Sequence, residues 1–212
     1  CSPDAAAIKQ WCADRKVSPF AFAMSVTQQV LRRYSDGAFA VGTAYDMRPV
    51  DYQDTAGIFV NMVLFPLLGG GVEAVHRQWL EILPHAATPY DAVVSRGYGT
   101  NVYLTCNLGR PGAQKKGARM VKVDWPKRSN AKFDIMVSWH DNNEGDGWEI
   151  EVESGVGEWP RLVEHIEQTI EATLHDTALS LPLPAALPPV TSSSSSSAAA
   201  KYVPCLLYTS PS

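Results

Sequence analysis

Val41-Gly42-Thr43-Ala44-Tyr45-Asp46-Met47-Arg48-Pro49, followed by Gly57-Ile58-Phe59-Val60-Asn61-Met62, reads as a strand, a turn bearing an arginine and a glycine-led apolar element. The strand reaches back to Ala38. Phe39, Val41, Thr43 and Tyr45 point one way, and Ala38, Ala40, Gly42 and Ala44 the other. A face of small side chains lets a helix or another backbone approach closely, which places this strand inside a sheet. Asn61 stands among Ile58, Phe59, Val60, Met62, Val63 and Leu64. A buried amide there must find partners or cost about 1–3 kcal/mol, so the position has a use for one.

Ser18-Pro19 upstream pairs a serine N-cap with proline at the first helical position. Phe22, Ala23, Val26, Val30, Leu31 and Tyr34 follow at helical spacing, and Asp36-Gly37 is a stop signal. Downstream, Gly69-Gly70-Gly71 breaks the chain before a helix carrying Val72, Val75, Trp79, Leu80 and Leu83. No Gly-Lys-Ser/Thr follows those glycines, which excludes a phosphate loop. Val102, Leu104, Cys106 and Leu108 mark another strand. Phe133, Ile135, Val137 and Trp139, then Trp148, Ile150 and Val152, form a hairpin with one buried face. Its other face is wet and acidic, carrying Glu149, Glu151 and Glu153. Pro160 opens a last helix with the apolar stripe Leu162, Val163, Ile166, Ile170 and Leu174. This order predicts an α/β layered sandwich with a mixed sheet.

The chain has 212 residues, 45% of them hydrophobic and 19% charged, with a net charge of -4. That suits one domain with a tail and argues against a nucleic-acid surface. The basic cluster Lys115, Lys116 and Arg119 has no interleaved aromatic residues and reads as a solvated loop. No apolar run reaches the roughly 18 residues of a membrane span. Cys1, Cys12, Cys106 and Cys205 suit neither zinc nor a redox pair, so reduced thiols and a cytoplasmic setting are expected. The Asp141–Gly147 loop looks like calcium chemistry but fails the EF-hand register, with glycine fifth, aspartate sixth and Val152 in place of the bidentate glutamate. No His-Glu-x-x-His or Gly-x-Ser-x-Gly pattern exists among the five histidines and the serines. His76 and His165 fall on helices and read as partly exposed.

Gly42-Thr43 with Arg48, then Gly57-x-Phe59-Val60-Asn61, resemble the condensation domains of nonribosomal peptide synthetases. His85-Ala86-Ala87-Thr88-Pro89-Tyr90-Asp91 is similar to that family's His-Gln-Asp-x-Pro-Phe-Glu motif, and Lys132-Phe133-Asp134-Ile135 to its Lys-Phe-Asp-Leu strand. The resemblance runs from Ser18 to His175 and covers the C-terminal half of such a domain. It implies a chloramphenicol acetyltransferase-like C-terminal lobe, the acceptor side of an enzyme that joins two carrier-bound thioesters. The catalytic histidine then belongs to a His-His-x-x-x-Asp-Gly motif, which this sequence lacks and which the family carries on its N-terminal lobe. No catalytic residue and no metal ligand is therefore expected here, and the fragment alone should be inactive. The lobe itself binds no cofactor in this reading. Its partners are the missing N-terminal lobe and peptidyl carrier domains that present substrates on phosphopantetheine.

By the same resemblance Asn61 lines or buttresses the cleft; a plainer reading has it satisfying exposed backbone at a bulge. Arg48 pairs with an acidic group of the missing lobe. Thr43 and Ser138 are candidate cleft hydroxyls, and Gly57 and Phe59 are motif positions. His85 orders a turn more than it transfers protons, Pro89 fixes that turn, Tyr90 fills a pocket and Asp91 caps a short helix. The sequence departs from the family at Met62, where threonine is common, and lacks its Arg-Asp-x-Ser-Arg-x-Pro-Leu segment. Gly97-Tyr98-Gly99 and Asn107-Leu108-Gly109 echo the related epimerisation domains, so an epimerisation domain or a non-catalytic carrier-docking domain stays open. Residues 1–178 form the lobe, and 179–204, rich in proline, serine and alanine, read as a linker. Cys205-Leu206-Leu207-Tyr208-Thr209-Ser210-Pro211-Ser212 looks like a translated sequencing adapter. With no initial methionine, the chain reads as a fragment of a larger reading frame.

Overall fold

A computed structural model describes residues 2–35, 39–67, 69–108, 132–141, 147–155, 159 and 161–177. The basic cluster, the hairpin loop 142–146, Pro160, the linker and the adapter-like tail lie outside the described residues. Among the described residues, five α-helices and five strands follow in the order α1 (Ala5–Arg15), α2 (Pro19–Leu31), β1 (Ala40–Asp46), β2 (Val60–Pro66), α3 (Gly71–Ile82), α4 (Tyr90–Val94), β3 (Val102–Asn107), β4 (Ile135–Asp141), β5 (Trp148–Ser154) and α5 (Leu162–Leu174). Short 3₁₀ turns occupy Val50–Tyr52 and Leu83–His85.

The strands form one sheet in the order β2-β1-β3-β4-β5. The outer pairs β1/β2 and β4/β5 are antiparallel, while β1/β3 and β3/β4 are parallel. The sheet is mixed as expected, and β1 is an inner strand paired on both sides. The register aligns Val41 with Phe65, Thr43 with Val63 and with Leu104, Leu104 with Val137, and Trp139 with Ile150. These side chains share one face and form the core.

Helix α2 lies on that face. Ser18 Oγ accepts the Ala21 N–H at 3.1 Å and Pro19 begins the helix, as the sequence predicts. Ten of its thirteen residues are buried, which makes it a central helix rather than a surface one. The α-helix ends at Leu31, short of Asp36-Gly37, and Tyr34 still turns back to bond the Leu31 carbonyl. Phe22 meets Trp139 edge-on, and Phe20 meets both Phe65 and Trp79. Helix α3 adds Trp79 against Phe65 and Tyr45, but Leu80, read as part of its apolar stripe, is 53% exposed. Helix α1 has no counterpart in the sequence reading. Asp4 caps it, and Ile8, Trp11 and Cys12 dock it, Trp11 against Phe22.

His165 corrects the sequence reading. It is 0% exposed, with Nδ1 2.6 Å from the Tyr34 hydroxyl and Tyr34 packed against Trp159. Its Nε2 is buried without a hydrogen-bond partner among the described residues. Burial pushes the His165 pKa down, reinforced by Arg161 and Arg33 and opposed by Glu164; burial also pushes the Tyr34 hydroxyl up.

Two outcomes follow from this core. Phe22→Ala should cost about 3–5 kcal/mol in urea unfolding, the range for truncating a buried aromatic side chain. The lowered His165 pKa means that the unfolded chain takes up the extra proton as pH falls. This stability is complete above the unfolded value of about 6.5 and is lost below it. The thermal midpoint should therefore drop between pH 7 and pH 5, and His165→Gln should flatten that drop.

Candidate functional site

Asn61 sits in β2 opposite Tyr45, at the end of the core face. Its Nδ2 donates to the Ala86 carbonyl at 2.8 Å and the Thr88 carbonyl at 2.6 Å, and its Oδ1 accepts the Tyr90 N–H at 3.3 Å. One amide thus satisfies three backbone groups of the turn that leads into α4. The need is physical. The first N–H groups of a helix lack internal partners, and Pro89, at the cap position, has no side-chain hydrogen bond to offer. Asn61 caps α4 from another strand. Asp91, expected to cap it, lies exposed inside the first turn and makes no cap.

The other residues of the turn take up places around this clasp. Pro89 is exposed at the start of α4, and half-buried Tyr90 points its hydroxyl toward Gly99, where an added Cβ would meet it at 3.8 Å. His85 closes the 3₁₀ turn, its carbonyl accepting the Thr88 N–H at 2.9 Å. With Met62, Leu64, Ile82, Thr88 and Val93 it lines a cavity of about 10 Å³, room for no more than one water.

Arg48 organises the connection between β1 and β2. Nη1 donates to the Tyr52 carbonyl at 3.2 Å and to the Thr55 carbonyl, and Nη2 donates to the Gly57 carbonyl at 3.1 Å. The guanidinium carbon stands 4.1 Å over the Phe59 ring centroid, a cation–π contact. A Cβ on Gly57 would sit 3.1 Å from that ring. By sequence Arg48 is expected to pair with an acidic group of another lobe; its side-chain partners among the described residues are carbonyls of its own loop. The braced loop displays Val50, Tyr52 and Ile58 to solvent, Ile58 at 95% and Val50 at 85% exposure, with Val60 exposed beside them at the start of β2.

The two candidate hydroxyls separate. Thr43 is 2% exposed on the helix-covered face, so its hydroxyl belongs to the core and not to a reachable wall. Ser138 stands half-buried on the opposite face, across from Glu151. On the small-residue face of β1, the nearest groups to Gly42 among the described residues are side chains. A Cβ there would meet the Thr100 methyl at 2.9 Å, Met62 Sδ at 3.2 Å and the Tyr103 ring at 3.4 Å. Tyr103 stacks on Phe133 with centroids 4.6 Å apart and planes 3° from parallel. Burial pushes its phenol pKa up, partly offset by a hydrogen bond from the Ala44 backbone. Sequence reading overlooked Tyr103, although the glycine opposite it in the register was the available signal. The thiols of Cys12 and Cys106 are pushed by burial to about 11 and about 12, which keeps both protonated and unreactive. Among the described residues, no helix is long and apolar enough to cross a membrane.

Neither a protein-family model nor a curated protein matches this sequence. Solved structures do match. The condensation domain of the monacolin K polyketide synthase MokA aligns over 82% of this chain and 45% of its own, at 18% identity and a TM-score of 0.62. This chain has a condensation-domain-like fold. The X-domain from teicoplanin biosynthesis aligns over 82% of this chain and 47% of its own, at 17% identity and a TM-score of 0.59. The four-domain nonribosomal peptide synthetase AB3403 aligns over 82% of this chain and 16% of its own, at 14% identity and a TM-score of 0.64. The condensation-domain-like chain thus spans just under half the length of the MokA domain and the X-domain.

Asn61→Ala should destabilise the chain by about 1–3 kcal/mol through unsatisfied backbone groups, read by urea unfolding. Arg48→Lys cannot span three carbonyls with a single ammonium. It should expose the 50–58 segment to limited proteolysis while leaving the thermal midpoint within about 3 °C of wild type.

Proposed function

We propose that this chain is the acceptor-side lobe of a condensation domain in nonribosomal peptide synthesis. In the complete domain, the amine of an acceptor aminoacyl thioester attacks the carbonyl of a donor thioester. An amide forms, the C–S bond to the donor's phosphopantetheine breaks, and the proton lost by the amine ends on the departing sulfur, which leaves as the thiol. A histidine of the N-terminal lobe assists that attack. This lobe contributes a wall and no catalytic residue, binds no cofactor itself, and receives its substrates on the phosphopantetheine arms of carrier domains in the cytoplasm.

One observation carries the reading. The asparagine of the Gly57–Asn61 stretch bonds directly to the turn of the His85–Asp91 stretch, so two separate sequence resemblances meet as one physical unit. The shared fold supports it, as does the fact that the matching single-domain structures are about twice as long. Exposed apolar side chains support it as well: Val50, Tyr52 and Ile58 of the Arg48 loop and Val60 at the start of β2 stand in solvent, the kind of surface a partner body would cover. An N-terminal lobe is that body in this reading.

The test uses donor and acceptor carrier proteins loaded with aminoacyl groups and mass spectrometry of the products. The isolated chain should give no amide, and the full reading frame, including its upstream lobe, should give one. Amide formation by the isolated chain would refute the division of labour. Inverted stereochemistry with no new amide would assign an epimerisation domain instead. A full-length protein that binds carriers yet yields neither product, with the upstream histidine replaced, would assign a docking domain.

A further inference from the structure

The sheet face opposite the helices carries a constellation that condensation chemistry does not use. His140 of β4 is paired in register with Glu149 of β5, and Glu151 follows two residues on, on the same face and across from Ser138. His140 Nε2 lies 3.6 Å from Glu149 Oε2, longer than a hydrogen bond. One donor atom from each of His140, Glu149 and Glu151 falls within 4.8 Å of the other two. Around a tetrahedral ion with ligand bonds of about 2.0–2.2 Å, neighbouring donor atoms stand about 3.3–3.6 Å apart. A bound ion would require the three side chains to close in from that spread.

The backbone beneath is fixed. Trp139 and Trp148, the sequence neighbours of His140 and Glu149, are buried on the reverse face and meet edge-on at 6.4 Å. The ligands therefore project from strands locked by their own core, which preorganises them. Glu149 and Glu151 place two carboxylates side by side, with Glu153 continuing the row. A divalent cation would relieve their mutual repulsion. Edge-strand protection also favours carboxylates on β5, but it uses charge alone and is indifferent to His140. The histidine selects the ion. Calcium and magnesium take oxygen ligands, whereas an imidazole with two carboxylates suits zinc and its neighbours in the first transition row.

We propose that His140, Glu149 and Glu151 form a three-ligand site for a divalent transition metal, zinc being the reference ion. Three protein ligands leave a fourth position for water or an incoming donor atom. The sequence hides this site because its ligands sit on two strands and match no linear spacing. The proposal stands independently of the condensation reading.

Calorimetric titration of the 212-residue chain with Zn²⁺, and visible absorption with Co²⁺, test it. One equivalent should bind. His140→Ala and Glu149→Gln should each weaken binding more than about tenfold, while the folded state, followed by circular dichroism, is kept. Glu151 is exposed, so Glu151→Gln is a second variant that cannot disturb the core, and it should weaken binding in the same way. His175→Ala, removing the histidine 3.5 Å from Glu171 on α5, should leave binding unchanged. No binding of millimolar Zn²⁺ by the folded chain, or binding that survives His140→Ala, would overturn the assignment.

Discussion

Burial of α2 against the core face of the sheet is the constraint on which the rest of the structure depends. Because the helix is buried nearly all round, each neighbour is fixed by what it packs onto it. Trp11 brings α1 to Phe22, Trp79 brings α3 to Phe20, and Phe65 and Trp139 bring in β2 and β4. Gln28 adds a buried polar link, its amide reaching the Phe65 carbonyl at 3.5 Å. Contacts of this kind are short-ranged and close-packed, so a displacement of α2 would be felt in both layers at once. The strands that bear the candidate site inherit their positions from it.

On that frame, backbone hydrogen-bonding needs explain two residues that sequence alone leaves ambiguous. Asn61 supplies the cap that Pro89 cannot, and Arg48 gathers three carbonyls of a loop that has little regular structure to satisfy them. Both are polar side chains doing the work of missing secondary structure. Of the two readings offered for Asn61, the three hydrogen bonds are those of a backbone partner, made to the turn before α4.

Much of the fold was legible because the deciding residues are close in sequence. The alternation in β1, the Ser18-Pro19 cap and the hairpin pattern each declare themselves within a few residues. What escaped was set by distance or by weak contrast. Helix α1 is mostly alanine and polar residues, with only Ile8, Trp11 and Cys12 to mark its buried side. His165 looked like a surface histidine until Tyr34, more than a hundred residues away in sequence, was brought to 2.6 Å. Thr43 shares an alternating strand with Gly42, and only the sheet's layering decides which of them faces the helices. Asp91 had the right chemistry for a cap in the wrong position.

The face opposite the helices changes character from one edge of the sheet to the other. Val60, Met62 and Leu64 of β2 give way to Ala40, Gly42 and Ala44, then to Tyr103 and Thr105, then to Met136, Ser138 and His140, and finally to three glutamates. Four strand spacings of about 4.8 Å carry this gradient from oily to anionic across roughly 19 Å. A body laid over that face meets two unlike rims, and turning it end for end would set its greasy side on carboxylates. The two edges of the sheet therefore differ in chemistry, and the order of the strands sets the direction of that difference.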